Sequence, residues 1–548
     1  MTRRDFIGYG ALASTGLLID GRTLFAQGAR TPGATVDTSA GKIRGYIDNG
    51  VHVFKGVPYG ASTAGANRFM SPQKPKPWTG VRDVFEFGGR APQFVGGEPE
   101  EMLASDPREA QSEDCLVLNI WTPRAGSGRR PVMVWFHGGG FANGSGSYSI
   151  YAGQELARKH DAVAISVNHR LNIMGYLYLA QFEGKWAGAS NVGMLDNVRA
   201  LEWIKENIAA FGGDPGNVTI FGQSGGAGKV ATLMAMPAAK GLFHRAIAQS
   251  GAALTATPAE QAVKTTEQVL QKLNIKPDQL DQLQSRPLQE ILEAMRPPAG
   301  ARGGGPGGGG LNFGPVLDGK SLPTNQFDPT APALSAGVPF LTGTTATETT
   351  FFTPDARLHQ IDDAELRARV KTLVRGSDAD ADRLIALYRK NQAGRDNIDI
   401  FLRMDTDNSF FRQGVETQAE RKAAQRGGPT YMYRFEYYSP VREGRLKAMH
   451  CMEIPFVFDH LEAGKIYTGS SPAAQRIADQ MSAAWVAFAR TGNPNHKGIP
   501  QWTAFNADQR ATMVFGSGAD AKLVNDPGHE ERLALKALRD AGARSSAQ

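Results

Sequence analysis

The chain has 548 residues, of which 41% are hydrophobic and 21% charged, with a net charge of +6. These are the proportions of an ordinary globular protein, long enough for one large α/β domain or roughly two to four smaller ones. So mild a charge, with no basic stripe interleaved with aromatics, excludes nucleic acid as the expected partner.

The N-terminus reads as an export signal. Arg3 and Arg4 head a charged region, an apolar run follows over 7–19, and Phe25-Ala26-Gln27-Gly28-Ala29 offers small residues for cleavage. The run is too short to span a bilayer. An Arg pair followed by Phe6 and Ile7 resembles a twin-arginine signal, and an ordinary secretory signal is the alternative. Residues 1–28 are therefore expected to be removed, leaving a periplasmic or secreted protein whose residues 29–548 form one domain. No other stretch reaches about 18 consecutive apolar residues, so no integral membrane segment is expected.

Strand-like patterns run over 43–46 and 51–59, and Pro and Gly punctuate 71–107 as loops. A strand with an acidic lead-in follows over 112–120. The continuous apolar runs 132–136 and 162–167 have the composition of fully buried strands. Leu195, Val198, Leu201, Ile204 and Ile208 repeat at helical spacing up to 211, where Gly212-Gly213-Asp214-Pro215 predicts a stop. Next comes Val218-Thr219-Ile220-Phe221-Gly222, another short strand. The segment 255–297 reads as helices, and the near-pure Gly run over 298–310 as a flexible loop within the domain. Strand 338–341, helices over 363–426, strand 431–435 and a helix over 473–491 complete the chain. Strands alternating with helices predict an α/β fold: a large, mostly parallel central sheet with helices on both faces.

The chemistry is concentrated at Gly222-Gln223-Ser224-Gly225-Gly226. G-x-S-x-G between a strand and a helix is the sequence form of a nucleophile elbow, which lifts a Ser clear of a sheet edge on a strained turn. A phosphate loop is excluded, because Gln223 and Val230 stand where that motif needs Gly and Ser or Thr. An activated Ser needs a base, a group that orients the base, and donors for an oxyanion. His137-Gly138-Gly139-Gly140 after a buried strand supplies backbone N–H groups of the right kind. Gly139, Gly140 and Gly225 are the expected donors.

Ten histidines compete for the base. His52, His137, His160, His169 and His244 precede Ser224 and break the order Ser, acid, His found in α/β-hydrolases. His359 lies in a polar stretch, and His460, His496 and His529 in loop or tail contexts. His450 opens a turn after a strand and is the expected base. Glu348, after strand 338–341, is the expected orienting acid, with Asp318 as runner-up although Pro315-Val316-Leu317-Asp318-Gly319 reads more as a turn.

These residues belong to a larger pattern that resembles the type-B carboxylesterase family, the carboxylesterases and cholinesterases. Glu113-Asp114-Cys115-Leu116-Val117-Leu118-Asn119 is similar to one family signature and Phe211 to Ser224 to another. Matches continue through 242–251, Phe313 to Gly319, Gly343 to Glu348, His450 with Glu453-Ile454-Pro455, and Thr491-Gly492-Asn493-Pro494. The resemblance spans roughly 38–515. It implies the α/β-hydrolase fold and a Ser224, Glu348, His450 triad, in agreement with the reading of the residues, and it gives Ser250 a supporting place beside that triad. It further implies a serine ester hydrolase for small to medium organic esters, expected as a monomer that needs no metal or organic cofactor. An amidase or carbamate hydrolase with the same triad, and a non-catalytic binding module on the same fold, are the alternatives.

The departures are specific. Ala91 stands in Arg90-Ala91-Pro92-Gln93 where the family often has a Cys partner for Cys115, so that disulfide should be absent and Cys115 a buried free thiol. Cys451 stands where the family usually has Gly, with no evident reason. Gln223 replaces the Glu of cholinesterases, and no aromatic-rich choline site is evident, which disfavours choline esters. Gly307 to Gly310, ahead of Phe313, predict a roomier acyl pocket.

Overall fold

The computed structural model describes residues 31–94, 109–296, 311–353, 357, 359–516, 518 and 520–546. The expected export signal and the 298–310 loop lie outside them. Fifteen strands are present: β1 (Thr31–Thr38), β2 (Gly41–Asp48), β3 (Val51–Pro58), β4 (Val81–Asp83), β5 (Val117–Thr122), β6 (Gly126–Phe136), β7 (Val163–Val167), β8 (Phe211–Gln223), β9 (Arg245–Gln249), β10 (Thr257–Pro258), β11 (Val316–Leu317), β12 (Phe340–Thr345), β13 (Thr430–Phe435), β14 (Ala511–Phe515) and β15 (Lys522–Asn525). Thirteen form one sheet in the order β1-β2-β3-β5-β7-β6-β8-β9-β12-β13-β14-β15, with β4 on β2, while β10 and β11 pair separately. From β7 to β14 every neighbour is parallel. The strands β1, β2, β3, β5 and β15 add antiparallel edges.

The central strands are buried because both faces are covered, and in β7 and the second half of β6 this gives near-continuous apolar runs. Successive side chains point to opposite faces. Val132, Val134 and Phe136 of β6, Ile165 of β7 and Ile220 of β8 therefore meet Met194, Val198, Leu201 and Ile204 of helix Val192–Asn207. Met133, Trp135, Ala164 and Phe221 turn the other way, onto Leu156 of helix Gln154–His160 and Ile477, Met481, Trp485 and Phe488 of helix Pro472–Thr491. Trp485 is fully buried there, and truncation of such a side chain costs about 3–5 kcal/mol. The helix expected to reach 211 is shorter. It ends at Asn207, a 3₁₀ turn covers Ile208–Ala210, and Phe211 already pairs with Gly126 at the irregular start of β8.

Register places the site. Phe136 pairs with Gly222, Gln223 with Gln249, Gln249 with Gly343, and Thr345 with Phe435. The carboxyl ends of β6, β8, β9, β12 and β13 thus lie side by side, the edge where open α/β sheets bind their ligands.

Candidate active site

Ser224 stands between the end of β8 and the helix Gly225–Ala235, with φ 57° and ψ −124°. Such a backbone costs a non-Gly residue about 1–3 kcal/mol and persists only when its surroundings over-determine it. They do here: Ser224 N donates to Gln249 O at 2.8 Å, and Ser224 O accepts from Gly228 N at 3.1 Å. A Cβ on Gly222 would lie 2.6 Å from the Gly226 carbonyl carbon, and one on Gly226 would lie 2.0 Å from Phe136 O. Glycines let the turn close to this distance. Ser224 is partly buried.

Glu348 opens the short 3₁₀ turn Glu348–Phe352 that follows β12, and its carboxylate is buried. Glu348 Oε1 accepts from Thr345 N at 2.7 Å, and Oε2 lies 2.5 Å from His450 Nδ1. His450, on the loop after β13, is 1% exposed. The two loops are tied reciprocally, Thr347 N to Ala448 O at 3.1 Å and Ala448 N to Thr347 Oγ1 at 3.0 Å. A carboxylate at Nδ1 fixes the proton there and leaves Nε2 as an acceptor. The runner-up Asp318 is spent on its own turn, where it accepts from Ser321 Oγ at 2.6 Å, Leu322 N at 2.9 Å and Lys320 N at 3.0 Å. The carboxylate beside His450 is that of Glu348.

The His137 to Phe141 loop leaves β6 beside the elbow. Gly139 and Gly140 take φ of 85° and 64° and are exposed. Gly225 is the first residue of its helix, so its N–H has no intrahelical acceptor. Ser250, with φ 50°, follows β9 next to Ser224 and is buried.

Six neighbours were not read from the sequence as site residues. Glu453 is fully buried, and its Oε1 lies 3.3 Å from Gln249 Nε2 and 3.4 Å from Ser250 Oγ. Burial, then the charge of Glu348, pushes its carboxyl up to about 7. The Gln223 amide contacts the His450 ring and accepts from the Cys451 thiol at 3.4 Å. Cys451 itself has φ 73°, the left-handed region that explains a Gly preference at this position. Phe411 packs on His450 with ring centres 4.7 Å apart, joined by Phe352 at 5.3 Å and Phe351 at 5.8 Å. Cys115 is free and buried in the same core as Ala91, as expected from the absent partner. Among the described residues no group of three or more His, Cys, Asp or Glu could hold a metal ion, and no helix is long and apolar enough to cross a membrane.

A parallel sheet covered on both faces, a Ser elbow and an acid–His pair on successive strand ends define an α/β-hydrolase. Residues 32–532 match the model of the carboxylesterase family, and the chain belongs to that family. It is 37% identical to the para-nitrobenzyl esterase of Bacillus subtilis (strain 168) over 91% of this chain and 98% of that protein. It is 34% identical to the phenmedipham hydrolase of Pseudarthrobacter oxydans, again over 91% and 98%. A solved esterase from Clostridium hathewayi, described as able to hydrolyse aliphatic aromatic polyesters, superposes with a TM-score of 0.80 at 32% identity, covering 92% of this chain and 98% of that one.

Proposed function

We propose that this carboxylesterase-family protein hydrolyses small to medium organic esters through an acyl-enzyme on Ser224. The observation that carries the reading is the buried Glu348–His450 pair after β12 and β13, at the same sheet edge as the partly buried Ser224, with Gln223 next to Ser224 touching the His450 ring. His450 Nε2 takes the Ser224 proton as Oγ attacks the ester carbonyl, and Glu348 steadies the imidazolium that forms. The N–H groups of Gly139, Gly140 and Gly225 stabilise the oxyanion. The alcohol leaves with the proton from His450, and water repeats the cycle to release the acid. The chemistry calls for neither metal nor organic cofactor. The aromatic wall of Phe351, Phe352 and Phe411 favours apolar esters at this cleft.

The test is turnover of p-nitrophenyl esters from acetate to decanoate by the protein and by Ser224→Ala, with fluorophosphonate labelling of Ser224. Activity lost in the variant supports the reading, and equal activity in both overturns it. Amide and carbamate analogues in the same assay decide how far the leaving group can vary. A non-catalytic binding role is disfavoured by the presence of all three side chains. Export through the Arg3-Arg4 signal belongs to the same reading. Arg3→Lys with Arg4→Lys should trap the protein in the cytoplasmic fraction if the signal is of the twin-arginine type.

A further inference from the structure

Lys229 lies in the elbow helix Gly225–Ala235, five positions after Ser224, in a segment otherwise free of charge. It is completely buried. Its Nζ donates to His137 O at 2.9 Å and to Gly140 O at 3.0 Å, with the Phe141 ring centre 5.5 Å away. Among the described residues no carboxylate offsets its burial, which pushes the amine down to about 7. A buried amine without a counter-ion costs stability. Packing alone would be served better by a Met.

The two carbonyls that Lys229 holds bracket the glycines. In a trans peptide the C=O and the following N–H point in opposite directions, so the fate of each carbonyl sets the aim of the next N–H. His137 O is held by Lys229. Gly138 O is 2.8 Å from His137 Nδ1, which must donate to it. Burial and the nearby Lys229 keep His137 neutral, as that single-donor tautomer requires. Gly139 O accepts from Ala142 N and Asn143 N, each at 3.2 Å. Gly140 O returns to Lys229. Every carbonyl from 137 to 140 is thus engaged within the protein: those of Gly138 and Gly139 set the aim of the Gly139 and Gly140 N–H groups, and Lys229 anchors the carbonyls on either side of them.

We propose that Lys229 is a positioning residue for ester hydrolysis: its Nζ ties both ends of the His137–Gly140 loop to the elbow helix and so holds in place the loop whose Gly138 and Gly139 carbonyls aim the Gly139 and Gly140 N–H groups at the oxyanion. The inference rests on the proposed function above. It assigns the lysine no contact with substrate. Its effect is to pre-organise two backbone donors, and pre-organised donors act on the transition state more than on the bound ester.

The experiment measures Lys229→Met, Lys229→Gln and Lys229→Arg, with kcat expressed per Ser224 titrated by the p-nitrophenol burst so that any unfolded fraction drops out. Loss of one oxyanion donor costs about 100- to 1000-fold. Misaiming rather than deleting donors should lower kcat of Lys229→Met about 10- to 100-fold with little change in KM. The inhibition constant of an aryl trifluoromethyl ketone, whose Ser adduct carries an oxyanion, should rise by a similar factor. Lys229→Gln and Lys229→Arg, which keep donors, should recover part of both losses. If Lys229→Met gives no titratable protein, Lys229→Leu and Lys229→Ala, which also lack a donor, decide, and wild-type kcat and ketone affinity in either would overturn the proposal. A lower melting temperature with unchanged kcat per titrated site would likewise reduce Lys229 to a packing role. Should Ser224→Ala retain activity, the functional reading itself fails. With Ser224→Ala inactive and the Lys229 variants unimpaired, only this inference fails.

Discussion

The side-chain amide of Gln223 lies across the imidazole of His450, its nitrogen 3.3 Å from Nδ1 and 3.1 Å from Nε2. Near-equal distances to both nitrogens put the amide over the ring rather than in line with either lone pair. Nδ1 is already engaged by Glu348, so the in-plane lone pair of Nε2 is the one the proposed mechanism requires. Cys451 holds the other end of the amide. The residue before the nucleophile and the residue after the base therefore meet above the ring.

Gln223→Met keeps the length of the side chain and removes its polar atoms. With the ring less restrained, kcat/KM should fall about tenfold, since small misplacements of a reacting group are expensive. Steady-state kinetics on a p-nitrophenyl ester check this. An unchanged kcat/KM would mean that the amide only fills space.

Glu348→Gln is nearly isosteric and removes the charge that holds the His450 tautomer. The amide can present N–H to the ring and favour the wrong tautomer, a change that costs a Ser-His-Asp site about 10⁴ in kcat. A loss on the order of 10³-fold or more is expected, with the thermal midpoint little lowered. If the variant keeps a tenth of its activity, Glu348 does not carry the orienting role.

The sequence was most legible where chemistry demands a residue type at a fixed place. A Ser between glycines, His-Gly-Gly-Gly after an apolar run, and an acid and a His in the right order all sit on strand ends whose composition marks them as buried. Other elements take their character from neighbours. Arg-Ala-Ile-Ala-Gln has little intrinsic preference for a strand, yet it becomes β9 because it lies between β8 and β12. Phe411 reaches His450 from the helix Phe410–Ala424, far away in sequence and with no motif to announce it. Glu453 was visible as part of a family pattern, but its proximity to Ser250 and Glu348 appears only after folding. Lys229 did leave a trace, a lone charge in an otherwise uncharged helix. Cys451 has no evident reason in the sequence, and in the structure its thiol holds Gln223.

Both cysteines should resist alkylation in the native protein. Cys115 and Cys451 are buried and free, and burial raises both thiols well above their ordinary range, with Glu453 and Glu348 adding to the effect at Cys451. The thiolate is the reactive form. Iodoacetamide at pH 8 should add no mass to the folded protein and two adducts after denaturation. Labelling of Cys451 in the native state, or inactivation that tracks it, would contradict this burial.

Glu453 makes a prediction whose sign is fixed. Its carboxyl is raised from an ordinary 4.5 to about 7. Between those values the folded protein keeps a proton that the unfolded chain has released, so unfolding becomes easier as pH rises through the window. The stabilisation is fully present below 4.5 and is lost by about pH 7. Its upper limit is about 3 kcal/mol, from roughly 1.4 kcal/mol per pH unit. Glu453→Gln keeps an oxygen acceptor for Ser250 and Gln249 and cannot ionise. Its unfolding free energy, measured by denaturant titration at pH 5, 6, 7 and 8, should therefore gain on the wild type as pH rises. Lys229, whose amine lowered to about 7 adds stability with rising pH above that value, does not confuse the comparison, because wild type and variant both carry it. Parallel profiles for wild type and variant would mean that Glu453 is ionised throughout, with its charge met by groups other than Ser250 and Gln249.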